Sequence, residues 1–246
     1  MTLHIQDVFF DGGDGQSGPT VKAGGLVGFD GTDFRGEAVL YPAGHGAFDL
    51  PSFSQPRTAS VSGLCLADSD ERLGWWRRKL TGLFTSGPER VSVDYLGERV
   101  WGDARLALGS RTRFDVVVPG SIAEYQIQFT FNDPRLYGES RSFASGVPSF
   151  HFGTFPASPL IRVTGSSSGG YTVNGPDGKA YVVTRPLVTG HPHTIDMLDG
   201  RLRVDGALVF GGVSRADVWT VPAGQTVTHT LSGSGTLSVT VRDTFL

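Results

Sequence analysis

His191-Pro192-His193 is the only close pair of histidines in the chain, and two imidazoles held on extended backbone by a proline are the beginning of a metal site. Such a site needs a third ligand. Only Asp196 stands at a usable spacing, so the segment reads as a loop between strands and no metal is expected. A second candidate is the acidic, glycine-rich run from Asp11 to Pro19, which has the composition of a calcium loop. An EF-hand requires a glutamate at its twelfth position, whereas this run continues into Val21 and Lys22, so a turn is the better reading. Asp196 with Asp199, or Asp30 with Asp33, could be taken for the carboxylate pair of a glycosidase. Each lies in a turn context, where aspartate bonds its own backbone. Cys65, the single cysteine, falls between Leu64 and Leu66 in an apolar strand and reads as a small buried residue rather than a nucleophile. His4, His45, His151 and His229 are scattered. No nucleophile elbow, zinc-protease helix, phosphate loop or dinucleotide fingerprint is present. The chain is therefore not expected to be an enzyme or to hold a cofactor.

What remains is a surface. Arg77-Arg78-Lys79 follows Trp75-Trp76. A nucleic-acid platform would need several aromatics on one sheet face, so the basic run reads as the solvated or partner-facing side of a helix. Trp75 cannot share the core stripe fully with Trp76, and an uncovered tryptophan asks for a protein partner. Trp75, Arg77, Arg78 and Lys79 are accordingly the candidate subunit-contact residues.

The elements that position them are legible. An apolar strand, Arg57 to Leu66, is followed by a helix from Glu71 to Phe84 and a strand from Arg90 to Tyr95. Leu73, Trp76, Leu80, Leu83 and Phe84 share one face of that helix, with Arg72, Arg77, Arg78 and Lys79 opposite. Asp68 is the expected N-cap, with Glu71 completing a capping box, and Gly87-Pro88 the stop. Upstream, Leu3 to Phe10, Leu26 to Phe29 and Ala38 to Tyr41 read as strands. Downstream, Glu98 to Leu108 and Arg111 to Val118 read as a hairpin around Gly109-Ser110, and Ala123 to Phe131 alternates large apolar with polar residues.

Thirty-five glycines, with turn signals every ten residues or so, place the chain among mainly β proteins. A formal net charge of -3 is too small to argue for nucleic acid, a membrane or a polyanion, so charge names no partner. There is no apolar run of the ~20 residues that a membrane helix needs, no export signal and no possible intrachain disulfide, so synthesis in a cytoplasm is expected. Composition shifts at Asn132-Asp133-Pro134, which sets expected domains of 1–133 and 134–246. The second holds nine short strands joined by turn pairs such as Asn174-Gly175, Asp177-Gly178, Asp199-Gly200 and Asp205-Gly206, the pattern of an antiparallel β-sandwich.

The order of these features resembles a family, the distal tail protein of long-tailed siphophages. The resemblance rests on Arg57-Thr-Ala-Ser-Val-Ser-Gly63 leading into the helix Arg72 to Leu83 and the strand Val91 to Tyr95. It continues through Gln126 to Phe131 into Asp133-Pro134-Arg135-Leu136-Tyr137. The second half adds Gly153-Thr-Phe-Pro-Ala-Ser-Pro159, the strand ending Thr164-Gly165, Leu198-Asp-Gly-Arg-Leu202 and Trp219-Thr-Val-Pro-Ala-Gly224. The resemblance implies a β-rich belt domain with one α-helix, then a galectin-like β-sandwich. It further implies a homo-hexameric ring at the distal end of the tail tube. That ring would meet the tube protein on one side and the baseplate hub or tail-associated lysin on the other, with DNA only in transit. The implied location is the tail tip of the virion, without membrane insertion, after synthesis in the host cytoplasm. The alternative is a carbohydrate-binding β-sandwich module of a tail fibre or secreted glycan-active enzyme, using Tyr171, Tyr181 or Trp219.

Overall fold

The computed structural model describes residues 2–10, 17–95 and 97–246; the calcium-like positions 11–16 lie outside them. The chain is mainly β and divides into two units, Met1–Leu136 with Leu246, and Tyr137–Phe245.

The first unit is built on the pairing of Arg57–Leu66 with Ile122–Phe131, ten residues in unbroken antiparallel register from Arg57 opposite Phe131 to Leu66 opposite Ile122. Period-two alternation turns Ala59, Val61 and Cys65 inward from one strand and Ala123, Tyr125, Ile127, Phe129 and Phe131 from the other. Gly18–Val27 pairs with the free edge of Arg57–Leu66. Glu98–Leu106 and Arg113–Val118 do not form the expected hairpin. Both lie along Ile122–Phe131, the former at Phe129 and Thr130 and the latter from Ile122 to Gln126. Beyond Glu98–Leu106 come Glu89–Tyr95, Thr2–Ile5 and Val8–Phe9, all antiparallel.

The two ends of the Arg57-to-Gly63 motif have separate physical reasons. Arg57 is buried, and its guanidinium donates to the carbonyls of Gly28 at 3.1 Å and Gly31 at 2.8 Å, while its Nε donates to Pro134 O at 3.0 Å. Gly63 faces the Thr20 carbonyl so closely that a Cβ would overlap it, and Tyr125 Oη donates to that same carbonyl at 2.9 Å.

The helix spans Asp70–Gly82. Its N-cap is Ser69, not Asp68: Ser69 Oγ accepts from Arg72 N at 3.2 Å, while Asp68 accepts from the Ser69 hydroxyl. That shift puts Arg72 rather than Glu71 at the third helical position, so no capping box forms. Leu73, Leu80, Leu83 and Phe84 are buried as the periodicity requires, and Trp76 is half-buried.

In the second unit, one antiparallel sheet runs Ala207–Leu208, Arg201–Val204, His193–Asp196, Leu160–Thr164 and Thr236–Phe245, with Leu136–Ala144 beside the last. The other runs Val213–Ala216, Ala180–Val183, Tyr171–Asn174 and Thr230–Ser232. Ile161, Val163, Ile195 and Val239 of the first sheet share one core with Tyr171, Val173, Tyr181 and Val183 of the second, which makes the unit a β-sandwich. The expected strand Val218 to Val221 is absent; Val213–Ala216 takes its place in the sheet. Asp177-Gly178 and Asp205-Gly206 both have the paired positive φ of a type I′ turn, whereas Asp199 and Gly175 do not.

Candidate functional site

Residues 32–55 form an arm that the sequence did not reveal. Two strands, Phe34–Arg35 and Phe53–Ser54, pair antiparallel, and the two sides stay together outward through Phe48 N to Val39 O at 2.8 Å and Tyr41 N to Gly46 O at 3.1 Å. Ala38 to Tyr41, expected as a body strand, is one side of this arm. Along it only Thr32, Ala47 and Ser54 are less than exposed. Phe34, Val39, Leu40, Tyr41, Phe48, Leu50 and Phe53 all reach solvent, Leu40 with 71% of its surface and Phe53 with 62%. The base is fixed: Arg57 holds Gly28 and Gly31, and Phe29 packs edge-on against Phe131 with ring centres 5.8 Å apart. A rigid root and an uncovered apolar blade are the geometry of a segment that covers something else. The warning present in the sequence was the density of breakers, Gly31, Gly36, Pro42, Gly44, Gly46, Pro51 and Pro56, among apolar residues with no sustained period.

A second open feature is the strand Arg113–Val118, which pairs only with Ile122–Phe131 among the described strands. Val116, Val117 and Val118 are each exposed although successive residues face opposite sides, so the strand end is bare on both faces. No charge or proline interrupts those three positions, and edge strands of this kind pair with neighbours.

The helix brings the candidate contact residues together only in part. Trp75 is 42% exposed and meets Trp76 edge-on, ring centres 4.6 Å apart, with the Arg72 guanidinium 5.1 Å from its ring centre. Arg77 and Arg78 are exposed. Lys79 is not available in the same way, because its Nζ binds Asp7 Oδ2 at 2.6 Å, which also holds the Asp7 carboxyl below its usual value. Trp76 is pinned from behind, its indole N–H donating to Ser17 Oγ at 2.9 Å.

The other chemical candidates are engaged structurally. His191 Nδ1 is 2.6 Å from Asp205 Oδ2, and the buried His193 has Nδ1 3.0 Å from Tyr171 Oη. The two rings border an open cleft of about 530 Å³ together with Arg185 and Asp205. Burial first, then the facing Arg185, disfavours a proton on His193. Asp196 and Asp199 each accept a backbone N–H two residues on, from Leu198 and Arg201, as turn residues do. Burial pushes the Cys65 thiol up to about 12. Tyr171, Tyr181 and Trp219, the platform for a carbohydrate module, are core residues at 4%, 1% and 3% exposure, so that surface does not exist.

Sequence reasoning missed one buried network. Trp219 Nε1 donates to His229 Nε2 at 2.9 Å; the other ring nitrogen lies 3.2 Å from Ser149 Oγ, which donates to Val227 O at 2.8 Å. An indole only donates, so His229 Nε2 must be bare and the ring neutral. Burial lowers its pKa to about 4.

Among the described residues no helix is long and apolar enough to cross a membrane. No protein-family model matches the sequence, and no curated protein matches it. Solved structures do. The fold is similar to that of the Dit protein (gp 19.1) of phage SPP1, described as a paradigm of the hub adsorption apparatus in phages infecting Gram-positive hosts. That likeness has a TM-score of 0.77 at 14% identity and covers 100% of this chain and 99% of that one. It is also similar to a chain of the phage P2 baseplate in its calcium-activated conformation, with a TM-score of 0.55 at 10% identity, covering 91% and 92%. At these identities the likeness establishes the fold, and the fold is the mainly β one expected from the sequence.

Proposed function

We propose that this chain is a structural protein of a phage tail tip, assembled as a ring at the distal end of the tail tube. The observation that carries the reading is the end-to-end match with SPP1 Dit, in which neither chain has a domain the other lacks room for. The bare arm and the apolar edge strand support it independently, since a chain that leaves both uncovered is suited to meeting copies of itself. One patch meeting a different patch is a heterologous contact, which closes into a ring or grows as a filament. Closure at six, the tube protein on one side, the hub or tail-associated lysin on the other and DNA passing through the lumen are what the sequence resemblance implies. No reacting group enters this account, so the role is mechanical. The test is native mass spectrometry of the full chain together with electron microscopy of particles carrying it. A six-membered ring at the tail tip is expected; a monomer within particles, or a position away from the tip, overturns the proposal.

A further inference from the structure

The arm and the helix face of the first unit are complementary in charge as well as in being uncovered. Among its charged residues the arm carries Asp33, Glu37 and Asp49 against Arg35 alone. On the side of the helix that bears Trp75, Arg72 and Arg78 stand three residues either way of it, against Glu71 alone, while Lys79 is held by Asp7 and Arg77 lies on the far side. Each surface also offers aromatic area: Phe34, Phe48 and Phe53 on the arm, Trp75 on the helix. Among the described residues the arm's large apolar side chains stay exposed, and the segment that leads into it is held by Arg57. We propose that the arm of one copy lies across the helix face of the next, its phenylalanines against Trp75 and its carboxylates beside Arg72 and Arg78. This rests on the self-assembly reading above and names the two patches that meet.

Such a contact is directional: every copy gives an arm and receives one, so the chain of contacts continues until it closes. Burial would be anchored by aromatic residues in the centre with charge at the rim, the arrangement in which the charges set register and encounter rate. Arg72 stacked near Trp75 would keep that ring oriented before the arm arrives.

The experiment uses the full chain with Ser52→Cys and Glu71→Cys together, which leaves the phenylalanines and Trp75 in place. Both positions are exposed and the native Cys65 is sealed, so a short bis-maleimide reports only the engineered pair. The expected result is a ladder of covalent multimers on a denaturing gel, with a heterodimer when the two single variants are mixed. A multimer seen by light scattering without any ladder overturns the arm-to-helix contact and leaves the assembly reading standing. Neither multimer nor ladder, up to the solubility limit, overturns both. A second measurement avoids cysteine altogether. Arg72→Glu with Arg78→Glu should raise the concentration for half-assembly about tenfold, and Glu37→Lys with Asp49→Lys in the same chain should restore it. Reversals that leave that concentration unchanged count against the proposal, as does failure of the restoring pair.

Discussion

At the scale of single residues, the side chains that matter are those whose removal leaves buried groups without partners. Arg57 satisfies three carbonyls at once, two at the root of the arm and one at Pro134. Arg57→Ala should therefore cost about 3 kcal/mol or more, and Arg57→Lys most of that, because an ammonium cannot reproduce the planar fork. Urea unfolding checks the magnitude, and proteolysis within 32–55 should accelerate in the same variants. A destabilisation below about 1 kcal/mol would remove the arginine from this role. His229 makes a pH prediction. Its folded pKa of about 4 lies below the ordinary histidine value of roughly 6.5, so the unfolded chain binds the proton more readily. Stability is then full above about pH 6.5 and falls as pH drops towards 4, by about 3 kcal/mol. Chemical denaturation at pH 7 and pH 4 measures it, and His229→Gln should flatten the profile. Neither residue stood out for these reasons in the sequence. Arg57 was recognisable only as the start of a motif, and His229 was one of four scattered histidines, because burial and partners come from strands far apart in the chain.

At the scale of elements, the helix was the most legible part, since a 3.6-residue stripe needs no knowledge of what covers it. Leu80 is fully buried, and Leu80→Ala should cost roughly 2 to 5 kcal/mol by thermal or urea unfolding. The cap was misplaced by one residue, because Asp68 and Ser69 are both good caps and the choice depends on which of them leaves the strand in an extended conformation. Ser69→Ala should lose about 1 kcal/mol and Asp68→Ala much less; equal losses would contradict the observed cap. The supposed hairpin around Gly109-Ser110 failed for a different reason. Local turn chemistry states that the chain reverses, but the partner of each strand is decided by the ten-residue register of Arg57–Leu66 with Ile122–Phe131, which leaves one edge for both to share.

At the scale of the molecule, composition and turn spacing were enough to give a mainly β chain, and the order of motifs extended that to the whole length. The arm stayed hidden because reading apolar residues as core assumes that a chain covers its own hydrophobic side chains. Here seven large ones are left outside. We further propose the second half as an independent folding unit, since its buried core runs from Ala157 to Val241 with Phe143 packed against it. A fragment from Pro134 to Leu246 should give a cooperative thermal transition with β-type circular dichroism; an unfolded spectrum would reject that division. The uncovered arm also has a thermal consequence. Removing apolar surface from water lowers the heat capacity, and its driving force fades towards the freezing point. Association driven mainly by the arm should weaken on cooling from 25 °C to 4 °C, with a negative heat-capacity change in calorimetry, whereas association that tightens in the cold would assign the contact to charge instead. Assemblies of this chain would then be loosest when cold, and chilling rather than heating would be the gentle way to take them apart.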